Sequence, residues 1–273
     1  IEVGLVWVSN LARPLKSMKT FKFNPGDHSY TLDGQRMTGV TTVLGVIAKP
    51  ALIGWAANMA VDNVKSNSMM LADWLSGVET EPKMIIVNPD ITEHLWVIDD
   101  RNLQQARTAH TKRKEAAGDR GTDVHAEIEK IIKGAIKNFD GYIQGYIEGE
   151  DEMIKSFCNW ATENKVQFLE SEKRIYSEEW FVAGTADFTC IINGQRFVGD
   201  LKTMKTMWDR VPFFQTAAYM KMLVEQGEDN YDGTVIVNIN KEDNKLTEYK
   251  SFDFEADIKS FEAALVLYRT LKI

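Results

Sequence analysis

The chain has very little cysteine. Two residues, Cys158 and Cys190, among 273 give no disulfide framework and cannot supply the four thiolates of an iron–sulfur cluster. Such scarcity fits an intracellular, reducing compartment. Long apolar runs are missing as well. None approaches the roughly 20 residues that span a bilayer, so no membrane partner is expected. The apolar opening, Ile1 to Asn10, has no basic leader and does not read as a secretory signal. An excess of basic charge is also missing. A net charge of −8 argues against adhesion to nucleic acid by bulk charge. It still permits a nucleic-acid enzyme that keeps a local basic groove and lets metal ions neutralise an acidic centre. There is no internal repeat and no low-complexity segment.

What remains is an ordinary globular composition, 44% hydrophobic and 26% charged. The length fits one large domain, or a domain with an appendage, and affords a sizeable core.

The most informative stretch is Gly184 to Thr203. Two runs rich in β-branched and aromatic residues flank Asn193-Gly194, a dipeptide that accepts φ > 0 at both positions and predicts a type I′ turn between antiparallel strands. The register follows from the turn. Ile192 faces Gln195, and counting outward sets Asp187 opposite Asp200 in a non-hydrogen-bonded pair, where side chains approach most closely. Lys202 points to the same face, about 7 Å further along. Two opposed carboxylates repel, so the arrangement calls for a cation between them. Mg²⁺ favours carboxylate oxygens and completes its shell with water and substrate phosphate. Asp187, Asp200, Lys202 and a divalent metal together form an apparatus for hydrolysing a phosphodiester, with the lysine as a point charge or as a partner of the attacking water. The bland reading is a surface hairpin with scattered charges. Asp-x-Lys alone is common, and it is the register-matched Asp187 and the following Thr203 that set this one apart.

Elsewhere the pattern predicts a hairpin over Phe21 to Met37, with turns at Pro25-Gly26-Asp27 and Asp33-Gly34. Thr41 or Thr42 is expected to cap a helix to Ala48, stopped by Pro50. Further helices are expected over Ala51 to Val64, over Met69 to Leu75 and from Thr92 onward, with a strand fragment at Ile85-Ile86-Val87 between them. Gly118-Asp119-Arg120-Gly121 predicts a break, after which Thr122 or Asp123 caps a helix ended by Gly134. His125 and Glu129 share a side of that helix. Asp151 to Asn164 reads as an amphipathic helix and Gln167 to Tyr176 as a strand beside the central hairpin, which brings Glu172 near the metal site. A helix with Pro212 in its first turn carries Gln215 and Tyr219 on one face. A hairpin over residues 233–252 and a helix from Glu255 to Leu271 close the chain. Lys112, Arg113 and Lys114 are either a solvated helix face or contacts for DNA phosphates.

Taken in order, Gly121-Thr-Asp-Val-His125, Glu172, Gly184-Thr-Ala-Asp187, Gly199-Asp200-Leu-Lys202-Thr203 and Gln215-Thr-Ala-Ala-Tyr219 resemble the RecB-like branch of the PD-(D/E)xK nuclease superfamily, phage-type exonucleases in particular. The core resemblance covers roughly residues 115 to 250. Asp27-His28-Ser-Tyr30 and Val40-Thr-Thr-Val-Leu44 are more weakly similar to the leader of phage-encoded exonucleases. Each motif is modest alone, whereas five in order are specific.

The resemblance implies an α/β (α+β) fold: a restriction-endonuclease-like core with a mixed central β-sheet flanked by helices, and a mainly helical N-terminal extension. Residues 1–20 would be a leader, 21–114 the N-terminal hairpin and helical region, and 115–273 the nuclease core. It implies Mg²⁺ or Mn²⁺ held by His125, Asp187, Asp200 and the Leu201 backbone carbonyl, with Glu172 serving a second metal or its waters. Lys202 would be the catalytic lysine, steadied by Gln215 and Tyr219. Arg120 and Thr203 join the basic run as candidate DNA contacts. The implied activity is a DNA exonuclease on single- or double-stranded DNA, in the cytoplasm of a bacterial or phage-infected cell, with a recombination protein or further copies of itself as partners. The alternatives are an inactive DNA- or protein-binding module on the same fold and a site-specific endonuclease.

Overall fold

A computed structural model describes residues 19–47, 50–70, 96–98, 100–145, 151–228 and 230–271, with no side chains for 50–52, 69–70, 96–97, 100 and 113–121. Asn193-Gly194 forms the expected turn, with φ of 52° and 80°. It joins β7 (Val182–Ile192) to β8 (Gln195–Lys202). Their ladder runs from Ile192↔Gln195 to Phe188↔Gly199 in the expected register, and stops one pair before Asp187 and Asp200.

Around this hairpin the sheet is mixed. β6 (Gln167–Ser177) pairs antiparallel along β7. β8 pairs parallel with β9 (Gly233–Ile239), which carries β10 (Leu246–Ser251) at its other edge. The amino-terminal strands β1 (Phe21–Asn24), β2 (Ser29–Leu32) and β3 (Gln35–Gly39) form a meander that joins through a short parallel contact, Thr38↔Val182 and Gly39↔Ala183. β3 and β8 therefore approach β7 at opposite ends, leaving Gly184 to Asp187 unpaired toward them. A separate pair joins β4 (Met69–Met70) and β5 (Trp96–Val97).

Helices cover both faces. On one, α3 (Asp100–Asn138) and α4 (Glu152–Glu163) bury Val124, Ile128, Ile132, Met153 and Phe157 against Phe168, Phe188, Phe197 and Val235. On the other, α1 (Val40–Leu44), α5 (Val211–Glu225) and α6 (Phe254–Leu271) bury Val43, Ala218, Leu223 and Phe261 against Ile175, Val182 and Val198. α2 (Pro50–Asn67) lies along α3. At 39 residues, α3 is about 58 Å long. The fold is thus a mixed α/β sheet flanked by helices. No helix is long and apolar enough to cross a membrane among the described residues.

Several local expectations are corrected. Gly118 to Gly121 do not break the chain, and α3 runs straight through them, past Gly134 and across the 114/115 boundary. Each glycine costs a helix only about 1 kcal/mol relative to alanine. Without proline, that is outweighed by the continuous hydrogen-bond ladder and by burial of Ala106 upstream and Val124 downstream. Thr122 and Asp123 are accordingly interior to the helix rather than caps. α1 starts at Val40 with Gly39 as its N-cap, in place of Thr41 or Thr42, and ends at Leu44. Pro50 opens α2, where its missing N–H costs nothing. Met69 and Met70 are strand rather than helix, as are Trp96 and Val97. Residues 1–18, the predicted strand at 85–87 and the remainder of 71–95 lie outside the described residues.

Candidate active site

The unpaired stretch of β7 and the end of β8 form a fork. Asp187 sits on one arm, Asp200 and Lys202 on the other. Two glycines allow the arms to close. A Cβ at Gly199 would lie 1.9 Å from the Phe188 ring, and one at Gly184 would lie 2.4 Å from the Tyr219 ring. The resulting cavity, about 220 Å³, is lined by His125, Thr185, Asp187, Asp200, Lys202, Gln215 and Tyr219, with Tyr30, Gly39 and Thr41 on the side of the meander. Because it is a gap in the sheet, helices from both layers reach it: α3 brings His125 and α5 brings Gln215 and Tyr219.

The β8 arm is held firmly. Asp200 is only 1% exposed. Its Oδ1 accepts from Gln215 Nε2 at 3.0 Å, and the same amide group donates to Tyr219 Oη at 3.1 Å. Its Oδ2 has the Lys202 ammonium at 2.6 Å but no donor aligned on a lone pair. Lys202 Nζ also reaches Gln215 Oε1 at 3.5 Å. Just past the strand, Asn238 clamps the backbone: Oδ1 accepts from Met204 N at 2.9 Å and Nδ2 donates to Met204 O at 3.0 Å. Arg210, which caps α5, donates to the buried carboxylate of Asp257 on α6 at 2.9 Å and 3.0 Å, fixing the helix that carries Gln215.

The β7 arm is looser. Asp187 is 23% exposed. Its Oδ2 accepts the Leu201 N–H at 2.7 Å and stands 3.9 Å from His125 Nδ1. Opposite Asp187 on β6, Glu172 interrupts the ladder between Ser171↔Phe188 and Lys173↔Ala186, with φ of 52°, an uncommon conformation for a residue with a side chain. Glu172 is absent from the cavity lining. Its charge reaches Asp187 from the neighbouring strand.

Burial dominates the electrostatics. It pushes the Asp187 carboxyl up to about 6, against the pull of Lys202 and the Leu201 N–H. Burial likewise pushes Asp200 up to about 6, with Lys202 opposing and Asp187 reinforcing. This is what two acids sharing one dry site do. Burial holds the His125 imidazole below its ordinary value, which favours the neutral, ligating form. Burial alone would lower Lys202, but Asp200 and Asp187 hold it above its usual range, so it stays an ammonium. Glu172 is raised by burial and by the charge of Glu129.

The residues fit a divalent cation that keeps much of its water. A buried and a partly buried carboxylate that share one ammonium, and an imidazole whose neutral form burial favours, are oxygen and nitrogen donors of the right kind. Among the described residues no group of three or more His, Cys, Asp or Glu side chains is gathered closely enough to hold a metal ion by itself. Mg²⁺ needs fewer protein ligands than that, since water and substrate phosphate complete its shell.

The structure therefore brings together His125, Asp187, Asp200, Lys202, Gln215 and Tyr219, with the Leu201 amide against Asp187 and Glu172 one strand behind. Thr203 is half-buried just beyond Lys202. Glu129 pairs with Lys133. Lys112 is exposed in a cleft between α2 and α3. It lies 13 residues before His125 on the same helix, about 20 Å away, so it does not join the cavity. The side chains of Arg113, Lys114 and Arg120 lie outside the described residues. Sequence reading gave no place in the site to Asn238, Thr185, Tyr30 or Thr41, although the Gly184-Thr-Ala-Asp187, Asp27-His28-Ser-Tyr30 and Val40-Thr-Thr motifs contain the last three.

No protein-family model matches the chain, and no curated protein matches it. Among solved structures it is similar to one described as the crystal structure of SSO0001, at 16% identity over 76% of this chain and 84% of that one, with a TM-score of 0.31. A likeness so distant leaves the reading of the site to its own geometry.

Proposed function

We propose that the chain is a divalent-metal-dependent nuclease hydrolysing DNA phosphodiesters, an exonuclease of the RecB-like PD-(D/E)xK type with a restriction-endonuclease-like core. The observation that carries this is the fork: Asp187 and Asp200 meet where β7 and β8 part, with the Lys202 ammonium 2.6 Å from Asp200 and His125 beside Asp187. His125, Asp187 and Asp200 would hold Mg²⁺ or Mn²⁺. When bound, the cation polarises the phosphoryl oxygens and makes a neighbouring water more acidic.

The chain's own residues do the rest. Lys202, kept protonated, presents fixed positive charge where a phosphorane develops negative charge. Gln215 holds Asp200 by one oxygen and leaves the other turned to Lys202, so both charges keep a single orientation. Tyr219 backs Gln215 and, through Gly184, sets the floor of the cavity. Water adds to phosphorus in line and gives up one proton to solvent as the P–O3′ bond breaks, and the departing oxygen takes one proton back, so that OH ends on phosphorus and H on O3′.

The test is digestion of end-labelled linear DNA and of closed circular DNA with Mg²⁺, with EDTA, and with Asp200→Ala. Linear DNA should be degraded only with metal, circles should survive, and Asp200→Ala should be inactive with an unchanged circular-dichroism spectrum. Cleavage that persists in Asp200→Ala would remove the proposal. Opened circles would convert it to an endonuclease.

A further inference from the structure

A second, larger groove of about 580 Å³ lies beside the cavity at the fork and shares Tyr30, Gly39 and Thr41 with it. This groove runs between the β2–β3 hairpin, the start of α1 and the end of α6. Its chemistry is unlike the rest of the molecule. The chain carries 40 acidic side chains against 32 basic ones, yet no carboxylate lines the groove. Its charged group is Arg36, which is exposed, and His28 stands at the same wall. Hydroxyls of Ser29, Thr41 and Thr42 and the phenol of Tyr268 supply further polar contacts. Asp27, which precedes His28, accepts the Ser29 N–H at 3.2 Å and also feels the Arg36 charge.

Tyr30 is the hinge between the two spaces. Its hydroxyl bonds Thr185 Oγ1 at 2.9 Å, on the unpaired stretch of β7, and its ring lies in a cluster with Phe21 and Phe23. A wall so braced presents the groove at a fixed angle to the carboxylate pair. Two adjoining spaces, one acidic and metal-seeking, the other cationic and hydroxyl-lined, suit a chain of phosphates that must be gripped at one point while it is cut at another. A half-buried tyrosine on the groove wall offers a ring face for a base.

We infer that this groove is the path of a single DNA strand next to the scissile phosphate, with Arg36 and the Thr41 and Thr42 hydroxyls as phosphate contacts and Tyr268 as a stacking surface. The inference rests on the nuclease reading for the position of the scissile bond. The amino-terminal meander is then part of the substrate-binding apparatus.

The experiment measures binding without cleavage: fluorescence anisotropy of a labelled twelve-residue oligothymidylate in EDTA at several salt concentrations. The proteins are wild type, Arg36→Glu, Tyr268→Ala and Lys245→Glu, each checked for a wild-type melting profile. Lys245 is exposed beyond β9 and lies outside the groove, so its substitution matches the charge change of Arg36→Glu. Arg36→Glu should weaken binding about tenfold or more and flatten the log–log salt slope by about 0.7, one single-strand phosphate contact. Tyr268→Ala should weaken it about fivefold or more, the loss of one stacked base, with the slope unchanged. Lys245→Glu should do neither. Equal losses for Arg36→Glu and Lys245→Glu, or wild-type affinity in Arg36→Glu, overturn the groove. Binding that follows the prediction in a protein that never cleaves DNA upholds the groove and sinks the nuclease reading instead. A wild type that neither binds nor cleaves sinks both.

Discussion

The two arms of the fork carry the same side chain, aspartate, yet they are built differently. On β8, Asp200 is almost wholly buried and is gripped by Gln215 and Lys202, with Asn238 and Arg210 pinning the segments on either side. On β7, Asp187 is partly open, with one backbone N–H as its only aligned donor among the described contacts and His125 at 3.9 Å. The difference teaches a division of labour. The β8 arm is preorganised before anything binds, as expected of groups that act on developing charge. The β7 arm has fewer side-chain partners, and on the proposed reading it is the one left open to an incoming ion.

Three substitutions would break or sharpen that contrast. The largest effect belongs to the rigid arm. Lys202→Met, which keeps the apolar stem, should lower kcat on DNA by about 10²–10³-fold, the usual loss on removing one preorganised charge from a transition state. Steady-state rates with saturating metal provide the check, and a kcat within threefold of wild type would show that Lys202 has no electrostatic role.

Next is a gain in stability on the loose arm. Asp187 has a folded-state pKa of about 6 against an ordinary 3.8. The folded chain thus binds more protons than the unfolded one across that window, and the group subtracts stability as pH rises from about 4 to about 6 and keeps subtracting above it. Asp187→Asn still accepts the Leu201 N–H but carries no charge. In EDTA at pH 7.5 it should melt about 3 °C higher than wild type. That corresponds to ~1 kcal/mol for a chain this size, after discounting for its partial exposure. The gap should narrow by pH 5. A pH-independent gap, or a loss, would contradict the assigned strain.

The third substitution is His125→Ala. It should raise the Mg²⁺ concentration for half-maximal cleavage by about tenfold, within the range for loss of a supporting group at a metal site, while kcat at saturating metal stays within a few-fold. A metal titration of activity reads both numbers.

Much of this site was legible because its geometry is local. Asn193-Gly194 dictates the turn, the turn dictates the register, and the register sets Asp187 and Asp200 on opposite arms. The i and i+4 spacing of Gln215 and Tyr219 places them on one face of α5, where they do bond each other. Legibility failed where distant packing decides. Gly118 and Gly121 look like helix breakers, but their penalty is small beside the burial on either side. Gly39, without a capping side chain, starts α1 because β3 ends there on β7. The Asn238 clamp joins residues 34 apart, and Tyr30 meets Thr185 across 155 residues. No periodicity records contacts of that kind.

The break in the sheet between β3 and β8 has a consequence beyond chemistry. A bare strand border on the outside of a protein is a template on which other chains polymerise. Here the edge of β7 from Gly184 to Asp187 that lacks a strand partner is turned inward, with Gly184 and Ala186 buried and Tyr219 and Tyr30 beside it, where a neighbouring polypeptide cannot dock along it. The fold thereby leaves one edge of a central strand without a strand partner and still shields it from the usual hazard of self-association.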